Sequence, residues 1–219
     1  MDRTLYGGRK YERHGEVKSM IIGVTGGVGC GKSVIMDLLN KEFGVHIILA
    51  DNVGHEVMAP DGEAYSEIID FFGKEIVSAD GAIDRKILGA RVFNDKEALD
   101  KLNSIIHPAV KRRILGKIDT IRNNSDKEPF IAIEAALLLE DNYDEICDTI
   151  WYIYATRKER IRRLKESRGY TDEKIASIMK NQLTEKEFRR RSDEVIDNSG
   201  NIAKTRKNLQ KILDKYRGL

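Results

Sequence analysis

The sequence predicts an α/β protein whose parallel sheet has five strands and is covered by helices on both faces. Short apolar runs alternate with helical patterns along most of the 219-residue chain. Most of these runs are largely apolar, which is typical of strands buried on both faces of a sheet. In addition, a glycine-rich turn, G-G-V-G-C-G-K-S at residues 26–33, joins the first run to the first helical pattern.

Each strand is predicted from a run rich in β-branched or aromatic residues. The five runs are MIIGVT (20–25), HIILAD (46–51), FIAIEAALL (130–138), TIWYIYA (149–155) and EVIDN (194–198). Helices are predicted where apolar residues recur at helical spacing. The clearest are 32–43, 63–76, 96–108, 157–169, 171–183 and 202–217.

Two stretches lack strand patterns and predict helical additions to the sheet. Residues 52–106 form an insertion of roughly fifty residues after the second strand, and residues 157–187 form a second helical segment. Residues 1–19 are polar, show no periodicity and precede Met20, so we expect a flexible leader or an alternative start.

The composition excludes membrane and disulfide-rich classes. The chain is 41% hydrophobic and 34% charged, and its longest apolar runs are far short of the ~20 residues that span a membrane. The two cysteines, Cys30 and Cys147, have no neighbouring ligands that would complete a metal site, and they favour a reducing cytoplasm.

Residues 157–191 hold thirteen Lys or Arg against six Asp or Glu, although the net charge of the whole chain is only +2. Such a basic segment fits nucleic acid, a polyanionic small ligand or a solvated helix face, and charge alone does not decide.

The glycine-rich turn fits the phosphate-binding loop pattern G-x-x-x-x-G-K-[ST]. Its position between a predicted strand and a predicted helix is the context that the pattern requires. Backbone N–H groups and the helix N-terminus bind phosphate, Lys32 reaches the terminal phosphates and the Ser33 hydroxyl joins a Mg²⁺ shell. Cys30 lies just before the helix, where thiol pKa values are lowered, so we also expect a reactive thiol.

Two carboxylates end predicted strands near this loop. Ligands of open α/β sheets lie beyond the carboxyl ends of the strands, so Asp51 is a candidate acceptor of a substrate hydroxyl proton. The alternative, that Asp51 is a helix N-cap, is equally well supported by the sequence. Glu134 ends the third run and is a candidate for holding Mg²⁺ or orienting the acceptor.

The basic segment supplies arginines that neutralise charge on a transferring phosphoryl group. Arg160, Arg163 and Arg168 are spaced so that at least two share one helix face.

Several motifs, in order, resemble those of the dephospho-coenzyme A kinase family. They are IGVTGGVGCGKS, LADNVGHEV, FFGKEIVSADGAIDRKILGARVF, LNSIIHPAV, EAALLLE, RLKESRGYTDEKIASIMKNQ and RRRSDEVIDNSG. Together they cover the chain from Met20 onward. The phosphate-binding loop is shared by many enzymes, but the ordered set is specific to this family.

The resemblance implies a P-loop nucleoside-triphosphate hydrolase fold that transfers phosphate from ATP, with Mg²⁺, to the ribose 3′-hydroxyl of dephospho-CoA. It implies a nucleotide-binding core (20–51, 107–156 and 188–219), a helical CoA-binding insertion (52–106) and a lid (157–187). It also implies catalytic roles for Asp51, Lys32 and Arg163, and Mg²⁺ ligation by Ser33 and Glu134. The remaining implied contacts are to ATP by Gly26, Gly29, Cys30, Gly31, Lys32, Ser33, Val34 and Arg163, and to the acceptor by Asp51, His55, Asp84, Arg85, His107, Glu134 and Arg168.

The sequence departs from the family pattern at four positions. Cys30 replaces a serine, and Leu49, His55 and Ser167 stand where Asp, Arg and Arg are usual. For His107 and the following proline, a turn at the start of a helix is preferred to ligand contact. We further expect a cytoplasmic monomer or weak homo-oligomer that binds neither nucleic acid nor membrane. The alternative function is that of a nucleoside monophosphate kinase-like enzyme with another acceptor.

Overall fold

The computed structural model describes residues 19–125, 128–135 and 137–218. Within these residues, five parallel strands form one sheet in the order β2-β3-β1-β4-β5. The strands are β1 (Met20–Thr25), β2 (His46–Leu49), β3 (Phe130–Glu134), β4 (Thr149–Tyr154) and β5 (Glu194–Asp197). The predicted fold class and all five predicted strands are confirmed, although β2 and β3 end earlier than predicted.

Helices connect the strands and cover the sheet. In chain order they are α1 (Lys32–Phe43), α2 (Ala50–Val57), α3 (Tyr65–Phe72), α4 (Arg85–Val92), α5 (Lys96–Asn123), α6 (Arg157–Arg168), α7 (Asp172–Lys180), α8 (Glu185–Arg190) and α9 (Ile202–Arg217). Two short 3₁₀ helices lie at Lys74–Ile76 and Tyr143–Ile146. Among the described residues, no helix combines the length and apolar character needed to cross a membrane.

Alternate residues of each strand pack into separate cores on the two faces of the sheet. Ile131 and Ile133 of β3 pack towards α2–α5, whereas Ala132 between them packs towards α1 and α9. On β4, Trp151 belongs to the second core and is fully buried. Burying one such large apolar side chain contributes about 1.5–3 kcal/mol, so the two covered faces fix the register of the sheet.

Helix α5 is longer than the sequence predicted. The prediction ended this helix near Pro108 and placed a turn at His107, but both residues lie inside a 28-residue helix. An interior proline removes a hydrogen bond and typically costs about 3 kcal/mol. The helix continues because six of its residues are buried against the core: Leu102, Ile105, Ala109, Val110, Ile114 and Ile118.

The predicted leader, residues 1–19, lies outside the described residues except for Ser19. Ser19 is buried, and its hydroxyl accepts a hydrogen bond of 2.8 Å from Arg122 Nε at the end of α5. The division into core, insertion and lid remains a prediction. Two of its boundaries, after residue 51 and before residue 107, fall inside α2 and α5.

Candidate nucleotide and acceptor site

The phosphate-binding loop lies between β1 and α1 and depends on glycine backbone geometry. Gly29 and Gly31 have φ values of 77° and 91°, a region that residues with a Cβ rarely adopt. Gly31 is also the N-cap of α1, which begins at Lys32. The first N–H groups of a helix have no partner within the helix, so the end of the loop presents donors suited to phosphate.

Lys32 holds the loop together in this structure. Its Nζ donates a 2.9 Å hydrogen bond to the carbonyl of Gly26 and lies 3.6 Å from Glu134 Oε1. Both charged side chains are mostly buried, with 16% and 19% of their surface exposed. A cation in this position, next to the N-terminus of α1, is suited to oxygens that become more negative during phosphoryl transfer.

Strand register places Glu134 between the loop and Asp51. In the sheet Glu134 pairs with Val24 of β1 on one side and with Leu49 of β2 on the other. The phosphate-binding loop begins two residues after Val24, and Asp51 lies two residues after Leu49. Burial raises the pKa of Glu134, and the negative charge of Asp51 raises it further, whereas Lys32 lowers it. The three charged groups therefore form one electrostatic unit at the carboxyl edge of the sheet.

Asp51 lies in the first turn of α2 rather than at the end of a strand. The strand β2 ends at Leu49, which is the N-cap of α2, and no side-chain capping hydrogen bond is made there. The capping alternative for Asp51 is therefore wrong. Its carboxylate is exposed and lines an open cleft.

This cleft has a volume of about 180 Å³ and is lined by residues of α2, of α5 and of the segment after β3. Its polar lining comes from Asp51, His107, Asp141 and Tyr143, and its apolar lining includes Ile106 and Val110. His107 Nδ1 lies 3.8 Å from Asp141 Oδ1. Burial raises the pKa of Tyr143 to about 12, with further contributions from Asp141 and Asp51, so its hydroxyl stays protonated at neutral pH. A mixed cleft beside a candidate base is suited to an acceptor with polar and apolar parts.

Helix α6 places two of the three predicted arginines on the loop. Arg160 Nε donates to the carbonyl of Val28 at 2.8 Å, and Arg163 Nη1 donates to the carbonyl of Cys30 at 3.1 Å. The prediction that at least two arginines share one face is confirmed. Arg168 instead lies at the end of α6, with its guanidinium 5.9 Å from the centre of the Tyr170 ring.

Arg163 is half-buried and is held by three elements. It donates 2.8 Å and 2.7 Å hydrogen bonds to Glu159 Oε1 and the Asn198 carbonyl, besides its bond to Cys30. Hydrogen bonds from Arg162 and Arg163 lower the pKa of Glu159 to about 2. Glu159 therefore remains ionised and keeps Arg163 oriented towards the loop.

The Cys30 side chain points into the protein, not into the phosphate site. It is 1% exposed and belongs to the apolar core between the sheet and α1. Burial raises the pKa of its thiol, and this effect exceeds the lowering by Lys32. The expectation of a lowered thiol pKa is therefore wrong, because burial in an apolar core outweighs the helix N-terminus. Any contact of Cys30 with nucleotide would come from its backbone.

The other predicted residues are spread over two regions. Ser33 and Val34 are exposed in the first turn of α1, beside the loop. Asp84 caps α4 by accepting hydrogen bonds of 2.8 Å and 3.2 Å from the N–H groups of Lys86 and Ile87. Arg85 and His55 contact each other and so join α4 to α2. In the described part of the chain, Asp84, Arg85 and His55 do not line the cleft.

Two carboxamides that contact the loop lie in the quoted family motifs but were not among the predicted site residues. Asn198 is 3% exposed, and its Nδ2 donates a 2.9 Å hydrogen bond to the Cys30 carbonyl. Gln182 Oε1 accepts a 3.0 Å hydrogen bond from the Val28 N–H. The position of Asn198 directly after β5 was a usable signal, since sites form at the carboxyl edge of such sheets. Gln182 ends the motif RLKESRGYTDEKIASIMKNQ, so the family resemblance was the signal that could have found it.

Comparison with known proteins decides the family. The family model described as dephospho-CoA kinase matches residues 20–204. The chain belongs to the dephospho-CoA kinase family. A dephospho-CoA kinase from Carboxydothermus hydrogenoformans is 38% identical over 90% of this chain and 94% of the relative, and one from Oceanobacillus iheyensis is 36% identical over 90% and 98%. Membership confirms the predicted enzyme class, a kinase that uses ATP and dephospho-CoA.

Solved structures agree with this assignment. A crystal structure of a protein from Thermus thermophilus matches with a TM-score of 0.75 and 27% identity, over 90% of this chain and 98% of that chain. The dephospho-CoA kinase from Campylobacter jejuni matches with a TM-score of 0.61 and 25% identity, over 91% and 97%. A shikimate kinase from Bacteroides thetaiotaomicron, at a TM-score of 0.51 and 14% identity over 89% and 98%, shares the fold alone.

Proposed function

We propose that this dephospho-CoA kinase family member transfers the γ-phosphoryl group of ATP to the ribose 3′-hydroxyl of dephospho-CoA, with Asp51 as the base. One observation carries the assignment of roles. Strand register sets Glu134 between Val24, which leads into the phosphate-binding loop, and Leu49, which leads into Asp51. A donor phosphate on the loop and an acceptor hydroxyl at Asp51 would therefore meet at this edge of the sheet.

The loop and the lid would bind and neutralise the donor. The loop N–H groups and the α1 N-terminus bind phosphate oxygens, and Lys32 places its charge beside the terminal phosphates. Arg160 and Arg163 already lie at the loop and would cover the phosphates from the side of α6. These groups stabilise negative charge that grows in the transition state, which is the main contribution of proteins to phosphoryl transfer.

Asp51 would accept the proton of the acceptor hydroxyl. Its carboxylate is exposed, is not used as a cap and lines the cleft. The cleft residues His107, Asp141 and Tyr143 would position the acceptor, and their mixture of polar groups and apolar neighbours matches a nucleoside better than a bare phosphate.

The residues present fit a magnesium ion. Mg²⁺ is typically bound through one or two carboxylates, substrate phosphates and several waters, so a full protein cage is not required. Ser33 lies at the start of α1, and the Glu134 carboxylate lies beside Lys32 at the end of β3. These two side chains would hold the ion, which when bound neutralises phosphate charge.

A coupled assay of ADP formation tests the proposal. Dephospho-CoA should support turnover, whereas AMP, CMP and shikimate should not, and the product should carry one phosphate on the ribose 3′-oxygen by NMR. ADP formation with AMP or CMP instead would favour a nucleoside monophosphate kinase. Oligomeric state, by light scattering, and cytoplasmic location stay predictions.

A further inference from the structure

A closed set of hydrogen bonds joins Arg160 of α6 and Gln182 to a single residue of the phosphate-binding loop, Val28. Arg160 Nε donates to the Val28 carbonyl at 2.8 Å, and the Val28 N–H donates to Gln182 Oε1 at 3.0 Å. Arg160 Nη2 donates to the same Gln182 oxygen at 3.0 Å. The N–H and the C=O of Val28, which belong to the two peptide groups on either side of its Cα, are thus both held, and Gln182 links them through the guanidinium.

The geometry of the loop gives this contact a direct route to the phosphates. The Arg160 guanidinium packs against Gly27 so closely that a Cβ there would overlap it. Lys32, Arg160 and Arg163 donate to the carbonyls of Gly26, Val28 and Cys30, so cations are bonded to alternate loop carbonyls. Holding these carbonyls on cations fixes the peptide planes, and fixed planes determine where the neighbouring N–H groups point.

We propose that Gln182 is a positioning residue for ATP: its carboxamide oxygen holds the Val28 peptide and the Arg160 guanidinium in the arrangement that receives the terminal phosphates. The proposal rests on the proposed function. Gln182 follows α7, and its only hydrogen bonds among the described residues are to Arg160 and the Val28 N–H. Its removal therefore leaves the Val28 N–H without this acceptor and leaves the Arg160 guanidinium with one hydrogen bond fewer, although the bond from Arg160 to the Val28 carbonyl remains. Gln182 does not line the acceptor cleft, so the cleft stays unchanged.

The test compares Gln182→Met, which keeps the length of the side chain but lacks the oxygen, with Asn181→Ala at the exposed neighbouring position. We expect kcat/KM for ATP to fall about tenfold to a hundredfold in Gln182→Met, the usual effect of losing a hydrogen bond to a charged group. The KM for dephospho-CoA and the melting temperature should stay close to wild type. Gln182→Asn, whose carboxamide is one methylene shorter, should show the same loss.

A double-mutant cycle with Arg160→Ala separates positioning from a merely structural role. If Gln182 and Arg160 hold Val28 as one unit, the double variant should lose less activity than the product of the two single losses. Losses that multiply, or wild-type kcat/KM in Gln182→Met, would overturn the proposal. Tighter ATP binding by Gln182→Met would also overturn it, because the carboxamide would then compete with phosphate for the Val28 N–H.

Calorimetric titration with ATP and Mg²⁺, without acceptor, keeps this test independent of the proposed function. An inactive wild-type protein that binds ATP more tightly than Gln182→Met would refute the proposed acceptor and still support the role of Gln182. Wild-type activity with dephospho-CoA that is unaffected by Gln182→Met would support the proposed acceptor and refute the role of Gln182.

Discussion

The substitution Asp51→Asn tests whether Asp51 acts as a catalytic base, which was one of the two roles that the sequence alone supported. Asparagine keeps the size of the side chain but cannot act as a base at neutral pH. We expect turnover to fall about a hundredfold to ten-thousandfold, the usual contribution of general acid–base catalysis, which corresponds to about 3–5 kcal/mol.

The structure sets a much smaller limit on the loss of stability. Asp51 makes no capping hydrogen bond, so the change removes only the interaction of its charge with the N-terminus of α2. That interaction contributes about 0.3–1 kcal/mol at an exposed site. Because 1 kcal/mol shifts the melting temperature of a protein of this size by about 2–4 °C, the melting temperature should fall by at most about 4 °C. Asp51 also raises the pKa of Glu134, so its neutralisation relieves some repulsion and reduces even this loss.

Single-turnover transfer, measured beside calorimetric titration with dephospho-CoA, checks this expectation. Affinity for dephospho-CoA should stay within a few-fold of wild type while the transfer step slows. Asp61→Asn, the same change at an exposed carboxylate outside the cleft, is the matched control and should behave as wild type. Transfer by Asp51→Asn at close to the wild-type rate would refute the assignment of Asp51 as the base, and so would a defect confined to affinity.

Three further predictions concern the phosphate-binding loop and helix α6. Lys32→Ala should lower kcat by about a hundredfold to a thousandfold, because losing one preorganised contact to a developing charge typically costs about 3 kcal/mol. Near-normal turnover of this variant in steady-state assays would contradict the assignment of the phosphate-binding loop. Arg163→Ala should lower both turnover and the melting temperature, since its hydrogen bonds to Glu159, Cys30 and Asn198 are lost. An unchanged melting temperature by calorimetry would show that these bonds contribute nothing to the stability of the fold. Because burial raises the pKa of the Cys30 thiol, alkylation of Cys30 in the native protein should be slow near pH 7 and should accelerate as the pH rises. Rapid alkylation of Cys30 at pH 7, detected by peptide mass mapping, would disprove its burial.

Helix α5 shows where local sequence signals mislead. Proline is usually a helix breaker, and the pair His107-Pro108 therefore predicted a turn. The helix nevertheless runs from Lys96 to Asn123, since its buried face spans both sides of the proline. Burial of this kind depends on the sheet beneath the helix, which local propensity does not register.

The sequence by itself determined the five strands, their parallel arrangement in a sheet covered on both faces, and the phosphate-binding loop. These features are encoded locally: continuous apolar runs specify buried strands, and the spacing of Gly26, Gly31, Lys32 and Ser33 specifies the loop. Asp51 and Glu134 were found for the same reason, because each lies at or just beyond the end of its strand.

Only the tertiary structure decided which side chains support the phosphate-binding loop and how burial shifts the pKa values of the groups around it. Gln182 and Asn198 bond to Val28 and Cys30 across 154 and 168 positions of chain, a separation over which no local pattern carries information. The pKa values of the Cys30 thiol and the Glu134 carboxyl also depend on distant parts of the chain, because other segments bury these groups and so raise both values. Desolvation depends on all the atoms that surround a group, so it is fixed only when the chain has folded.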